Sequence, residues 1–260
     1  MRNCTPHNVL YLQSTSEIGG SDISLLRLIE KLDKTRFRPH VVLPSDGPLV
    51  EALKMQQCKV SILKEMLKLT TRRGKLYFLR YILNYPRAAW KILRIIRRER
   101  IDLVHTNTLH NLYGFLAAKL ARRPHVWHIR EIVWRSRVFR DLELFLARYF
   151  ADRIIVTSDA VAEVFGGGNG AHPSHLRKIP NGIDIQCYHP ENDGSRVFKD
   201  LGLAPDAPLV GLVCRLDHWK GVDTFLRAVA ICEKEYPKAR YLVIGGPIEG
   251  REEYAERMVQ

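Results

Sequence analysis

Short branched-apolar runs alternate with helix-period segments along nearly the whole chain, and this alternation leaves few folds open. Apolar runs bounded by turn residues read as strands over 8–13, 39–43, 59–63, 101–105, 125–129, 153–157, 209–213 and 241–244. Between the first two, Leu25, Leu28, Ile29 and Leu32 recur at helix spacing. Further helices are predicted over 49–55, 110–120, 139–150, 160–165 and 222–235, with another starting near Glu252. Strand, helix and strand in repeated succession require crossover connections, which set the strands parallel with helices on both faces. The class is α/β.

Residues 185–207 break the alternation, being polar and proline-rich. We therefore expect a first doubly wound domain over 1–190, a linker over 191–207 and the opening part of a second domain over 208–260. Two strands and two helices cannot cover both faces of a parallel sheet, so apolar surface should stay exposed in that last stretch.

Several classes are excluded or disfavoured. No apolar run reaches the roughly 18–20 residues that span a bilayer. The chain starts Met-Arg-Asn-Cys-Thr-Pro-His and enters the first strand without an apolar signal region, so a cytoplasmic location is expected. Cys4, Cys58, Cys187, Cys214 and Cys232 are odd in number and lack metal spacing, which reads as reduced thiols. No Asp-x-Asp occurs, and no metal or other cofactor is expected. A dehydrogenase needs Gly-x-Gly-x-x-Gly after the first strand, and Ser14–Ser21 does not supply it. Gly166–Gly170 follows a helix and reads as a loop.

The net charge of +13 is concentrated. From Lys68 to Arg100, eleven cations face one anion, Glu99. Pro86 is expected in the first turn of a helix, with Ala89, Ile92, Leu93 and Ile96 on one stripe and Arg87, Lys91, Arg94 and Arg98 on another. Upstream, Leu76, Phe78, Leu79, Ile82 and Leu83 are interleaved with Lys75 and Arg80. A packed helix with a solvated face accounts for this pattern. An anionic membrane surface docked through 68–100 accounts for it too, and would make the protein peripheral at the inner face of the membrane. Nucleic acid is not an expected partner, because no recognition motif or aromatic platform accompanies the charge.

The strand over 209–213 ends at Arg215, and a short polar turn then reaches Lys220-Gly221 and the next helix. A planar fork of donors, a point charge and the N–H groups of a helix start suit a diphosphate. Gly19-Gly20 lies at the corresponding point after the first strand. His128 sits at the end of the strand 125–129, where ligands of open parallel sheets bind. His105 and Asn107, at another strand end, are placed to line the same cleft. Glu131 either orients an acceptor hydroxyl or pairs with Arg130, and adjacency favours the ion pair. Asn181 is expected to hold a turn by bonding its own backbone, with a supporting role near the same cleft.

Arg215-Leu-Asp-His-Trp-Lys220-Gly221 resembles the R-L-x-x-x-K-G segment of retaining glycosyltransferases of family four, also called group 1. Gly19-Gly20, Pro180-Asn181-Gly182-Ile183-Asp184 and Val243-Ile244-Gly245-Gly246-Pro247 agree with further segments of that family in order and spacing. The resemblance implies the GT-B fold, here a complete N-terminal Rossmann-like domain and the first part of a second. It implies transfer of a sugar from a nucleotide-diphosphate donor to a hydroxyl acceptor with retention. The acceptor, a cell-envelope or lipid-linked glycan, would lie on the first domain and the donor diphosphate on the second. Arg215 and Lys220 would stabilise the departing diphosphate, helped by Gly19 and Gly20, and His128 would contact the donor sugar. The family's pair of glutamates, seven residues apart, falls beyond Gln260, and its terminal helix is also absent. The nucleoside half of the donor site is thus expected outside this chain, and little turnover is expected from these 260 residues alone. A nucleotide-sugar epimerase of the same fold and a non-catalytic acceptor- or membrane-binding remnant are the alternatives.

Overall fold

In the computed structural model, residues 5–67, 69, 74–132, 137–166, 172–247 and 252–259 are described. The chain divides into two compact units, Met1–Ile183 and Asp184–Gln260. In the first unit β1 (His7–Leu12), β2 (Phe37–Leu43), β3 (Lys59–Ile62), β4 (Leu103–Thr106), β5 (His125–Ile129), β6 (Arg153–Val156) and β7 (Leu176–Lys178) form one parallel sheet. Its order is β3-β2-β1-β4-β5-β6-β7. The crossovers are α1 (Gly20–Lys31), α2 (Pro48–Met55), α3 (Gly74–Arg98), α4 (Tyr113–Ala121), α5 (Arg137–Phe150) and α6 (Asp159–Gly166).

Side chains alternate across each strand, so one strand feeds two cores. Val9 and Tyr11 of β1 pack with Leu25 and Ile29 of α1 and Leu49 and Leu53 of α2. Leu10 and Leu12 pack on the other face with Ala88, Ile92 and Ile96 of α3 and Ala117 of α4. A further cluster joins Trp127 and Ile154 of β5 and β6 to Ala147 of α5 and Phe165 of α6. Burial on both faces explains why these strands read as continuous apolar runs rather than alternating ones.

The second unit holds α7 (Ser195–Asp200), β8 (Leu209–Val213), a 3-10 turn (His218–Lys220), α8 (Val222–Glu235), β9 (Arg240–Ile244) and α9 (Glu252–Val259). β8 and β9 pair in parallel as a two-stranded sheet. Among its described residues only Asp217, Val222, Ala239 and Ala255 are buried, while Val210, Val213 and Ile244 on the strands and Ile231 on α8 are exposed. The apolar surface expected there is present.

Two expectations are corrected. Pro86 does not start a helix: α3 begins at Gly74 and runs through it. An interior proline costs about 3 kcal/mol. Tyr81, Ala88, Ala89 and Ile92, buried on either side of it, supply enough packing for the helix to continue, and Pro86 itself sits on the exposed side. The polar stretch 191–207 also carries a helix, α7, where only a linker was expected. Lys68, Arg72 and Arg73 of the basic segment, and 167–170 of the glycine loop, lie outside the described residues.

Candidate functional site

Sheet order reverses between β1 and β4, and open α/β sheets bind ligands just beyond the strand ends at such a switch point. Gln13 follows β1 and Asn107 follows β4, and the Asn107 amide donates to the Leu12 carbonyl at 3.0 Å. Both side chains are fully buried. Asn107 Nδ2 donates to Gln13 Oε1 at 2.8 Å, and Gln13 Nε2 donates to the Asp22 carboxylate on α1. On its other side, Asn107 Oδ1 accepts from Arg130 Nε at 3.2 Å and from Nη2 at 3.1 Å. Arg130 directly follows β5, and its Nη1 donates to Asn181 Oδ1. One polar chain thus runs from α1 past three strand ends to the turn at Asn181.

Arg130 Nη2 also lies 3.2 Å from His128 Nδ1. A guanidinium can only donate, so Nδ1 accepts and the imidazole proton resides on Nε2. That Nε2 is buried and has no partner among the described residues. Burial, followed by the Arg130 charge and His105, pushes the His128 pKa down to about 2, so the ring is neutral. His105 packs between Tyr11, 5.0 Å between ring centroids, and His128, 5.5 Å. Its Nε2 is likewise buried without a partner, and burial lowers its pKa to about 3. The two rings thus lie side by side at the switch point, where ligands of open α/β sheets bind. Desolvation brings Arg130 itself down to about 10, so it stays a cation at neutral pH.

Gly19 caps α1 in extended conformation and Gly20 opens the helix. The Asp22 carboxylate closes the first turn by accepting the Gly19 N–H at 2.9 Å, and it also accepts the Thr15 hydroxyl at 3.0 Å. A Cβ built on Gly20 meets no atom within 4 Å, so no neighbour in the fold demands glycine there. Glu131 departs from the favoured expectation. Its Oε2 accepts the backbone N–H groups of Leu109 at 3.3 Å and Arg130 at 3.2 Å, and so staples the loops after β4 and β5. The Arg130 guanidinium goes instead to Asn107, Asn181 and His128, where three acceptors converge. Asn181 also differs: its Oδ1 accepts from Arg130 and from Ser24 Oγ, at 3.2 Å for Ser24, because a cation competes better for that oxygen than a local amide.

Arg130, Gln13 and Asp22 were not singled out as site residues. The strand-end position that flags His128 applies equally to Gln13 and Arg130, and was the signal available for them.

In the second unit, Arg215 and Lys220 are both exposed and make no ion pair among the described residues. Asp217 is buried between them, accepting the Trp219 indole N–H through its carboxylate and the Lys220 amide, at 2.8 Å, through its carbonyl. Lys220 Nζ lies 4.5 Å over the Trp219 ring. Gly221 has φ +74°, a left-handed conformation that ends the 3-10 turn and starts α8. A Cβ on Gly245 would lie 1.7 Å from the Cys214 carbonyl, so glycine lets the β9 end approach the loop that carries Arg215. Among the described residues no group of three His, Cys, Asp or Glu side chains is arranged to hold a metal ion.

Comparison with known proteins bears on the family and the fold. A family model described as Glycosyltransferase Family 4 matches residues 18–186. The D-inositol 3-phosphate glycosyltransferase of Acidothermus cellulolyticus is 31% identical over 166 residues, covering 62% of this chain and 34% of that protein. The one from Actinosynnema mirum is 35% identical over 101 residues, covering 37% and 24%. The chain thus spans about a fifth to a third of the length of the curated relatives it matches. Among solved structures, Anabaena Alr3699/HepE in complex with UDP-glucose superposes with TM-score 0.76 at 25% identity, over 97% of this chain and 64% of that one. A putative UDP-N-acetylglucosamine 2-epimerase from Listeria monocytogenes shares the fold, with TM-score 0.60 at 14% identity.

Proposed function

The chain belongs to glycosyltransferase family 4, and on that premise we propose that it serves the transfer of a hexosyl group from a nucleotide-diphosphate sugar to a hydroxyl acceptor, with retention at the anomeric carbon. The observation that carries the reading is the family match over 18–186, joined by the likeness of nearly the whole chain to a protein solved with UDP-glucose. The epimerase likeness is weaker in both superposition and identity, and favours no second reading.

The chemistry follows from what must be stabilised. When the bond between the anomeric carbon and the phosphate oxygen breaks, negative charge grows on the diphosphate and positive charge on the sugar. Preorganised donors aimed at the phosphates lower that barrier. Arg215 supplies a planar fork and Lys220 a point charge, on a turn braced by the buried Asp217. The open space over Gly20 leaves room for close approach of an anion to the α1 N-terminus. The His128 Nε2 proton is a neutral donor suited to a sugar hydroxyl, and a neutral ring does not repel the developing sugar cation. With two side-chain cations on the leaving group, the proposed transfer needs no metal. The acceptor we propose is a cell-envelope or lipid-linked glycan, reached by a cytoplasmic protein at the membrane's inner face.

The test is donor-screened transfer by the full-length protein, read by mass, starting with UDP-hexoses and without added metal. The acceptor should gain one hexosyl mass, and EDTA should not change the yield. Arg215→Ala and Lys220→Ala should each lower kcat by about 10²–10³. Epimerised donor in the absence of any acceptor, or full activity in both variants, would overturn the reading.

A further inference from the structure

Helix α3 has two opposed faces, and only one of them is explained by the fold. Ala88, Ala89, Ile92 and Ile96 are buried against the sheet and α4. Leu76, Leu79, Leu83 and Trp90 recur at i, i+3, i+7 and i+14, on the same side of the helix, and all four are exposed, Leu76 at 81% and Trp90 at 54%. Arg80, Arg87, Lys91, Arg94 and Arg98 run alongside that stripe. The helix sequence contains no acidic residue. Lys91 and Arg98 are paired with Glu65 and Glu99, and the Arg94 guanidinium lies 4.8 Å over the Trp90 ring.

α5 carries a second stripe that the sequence reading did not anticipate. Val138, Leu142, Phe145 and Tyr149 recur at i, i+4, i+7 and i+11, and all are exposed, Val138 at 79%. The two helices meet where Phe78 and Phe139 stack edge to face, 5.5 Å between centroids. The two stripes, four side chains each, therefore stand exposed on adjoining helices, and the α3 stripe is bordered by a row of cations.

We propose that the outward faces of α3 and α5 form a docking surface for an anionic lipid bilayer. The occupant follows from charge and shape. A second copy of the chain on this face would set one predominantly cationic row against another, since Glu65, Glu99 and Asp141 at its margin are each already paired with a cation. A nucleic acid would satisfy the cations and leave the leucines in water. An anionic bilayer satisfies both: headgroups meet Arg and Lys while Leu, Phe and Trp enter the headgroup–acyl boundary. This docking does not rest on the transfer reaction proposed above, so either assignment can fail alone.

The test is co-sedimentation of the chain with phosphatidylcholine vesicles, with and without phosphatidylglycerol. Binding should require phosphatidylglycerol and weaken as salt rises. Each cation near such a surface contributes about fivefold in affinity, so Arg80→Gln with Arg87→Gln should weaken binding roughly thirtyfold. Leu79→Ala with Leu83→Ala should weaken it by roughly tenfold or more. All four side chains are in solvent, so denaturation midpoints should match the parent chain. Should the leucine pair disturb folding, the arginine pair decides. Equal binding to pure phosphatidylcholine, unchanged binding in the arginine pair, displacement by a single-stranded oligonucleotide, or a dimer that the leucine pair dissolves would each overturn the proposal.

Discussion

Arg130 organises the candidate site of the first unit because its guanidinium reaches Asn107, His128 and Asn181 together. Lysine in its place offers a point charge and cannot hold three acceptors in a plane. Its charge also helps keep His128 neutral, second to burial. Arg130→Gln removes that charge, so the His128 pKa should rise towards the ordinary value of about 6.5. NMR titration of the imidazole checks this: no titration between about pH 8 and 5 in the parent chain, and an upward-shifted midpoint in the variant. A His128 ring that already titrates near 6.5 in the parent chain would contradict the arrangement. Sequence position alone paired Arg130 with Glu131. The backbone just after β5 turns these two side chains to different partners, and adjacency carries no information about that.

Among the elements, α4 shows packing outweighing propensity. Alanine normally stabilises a helix interior over glycine by about 1 kcal/mol. At Gly114, however, a Cβ would lie 2.0 Å from Thr106 Oγ1 and 3.0 Å from Leu12 Cδ1. Thr106 is fully buried and its hydroxyl is 2.8 Å from His125 Nε2, so it has no room to yield. Gly114→Ala should therefore destabilise the first unit by roughly 2–3 kcal/mol, read from denaturant unfolding. An unchanged or raised midpoint would mean that α4 shifts freely on the sheet. α3 illustrates the same balance, since the buried turns flanking Pro86 keep one helix where a local rule placed a helix start. The strands other than β7 were legible as short continuous apolar runs, and the helices 222–235 and 139–150 by their regular apolar period. The outward stripe of α5 was not, because a periodic apolar face identifies a helix without saying whether the sheet or the solvent receives it.

At the scale of the whole molecule, four buried histidines make stability depend on pH. His40, His105, His125 and His128, all in the first unit, have pKa values pushed down to about 4, 3, 3 and 2, in each case chiefly by burial. Below about pH 6.5 the unfolded chain takes up protons that the folded chain refuses. Stability is therefore fully present above that pH and falls as pH drops towards about 4. Each histidine contributes about 1.4 kcal/mol per pH unit once the unfolded imidazole is protonated. Denaturant midpoints at about pH 7.5 and about pH 5 should differ sharply, and equal midpoints would refute the burial argument. What the amino-acid order determined by itself was the α/β class, nearly every strand and helix, the strand-end positions of His105, Asn107 and His128, and the Arg215–Lys220 turn. These are local properties, set by the period of apolar side chains and by residues that interrupt it. Only the tertiary structure decided that β1 and β4 meet at the reversal of the sheet, that Arg130 joins His128 to Asn107 and Asn181, and that α3 and α5 leave apolar faces in solvent. Those depend on side chains far apart in the chain being brought within hydrogen-bonding or packing distance, and no local pattern encodes which distant partner prevails.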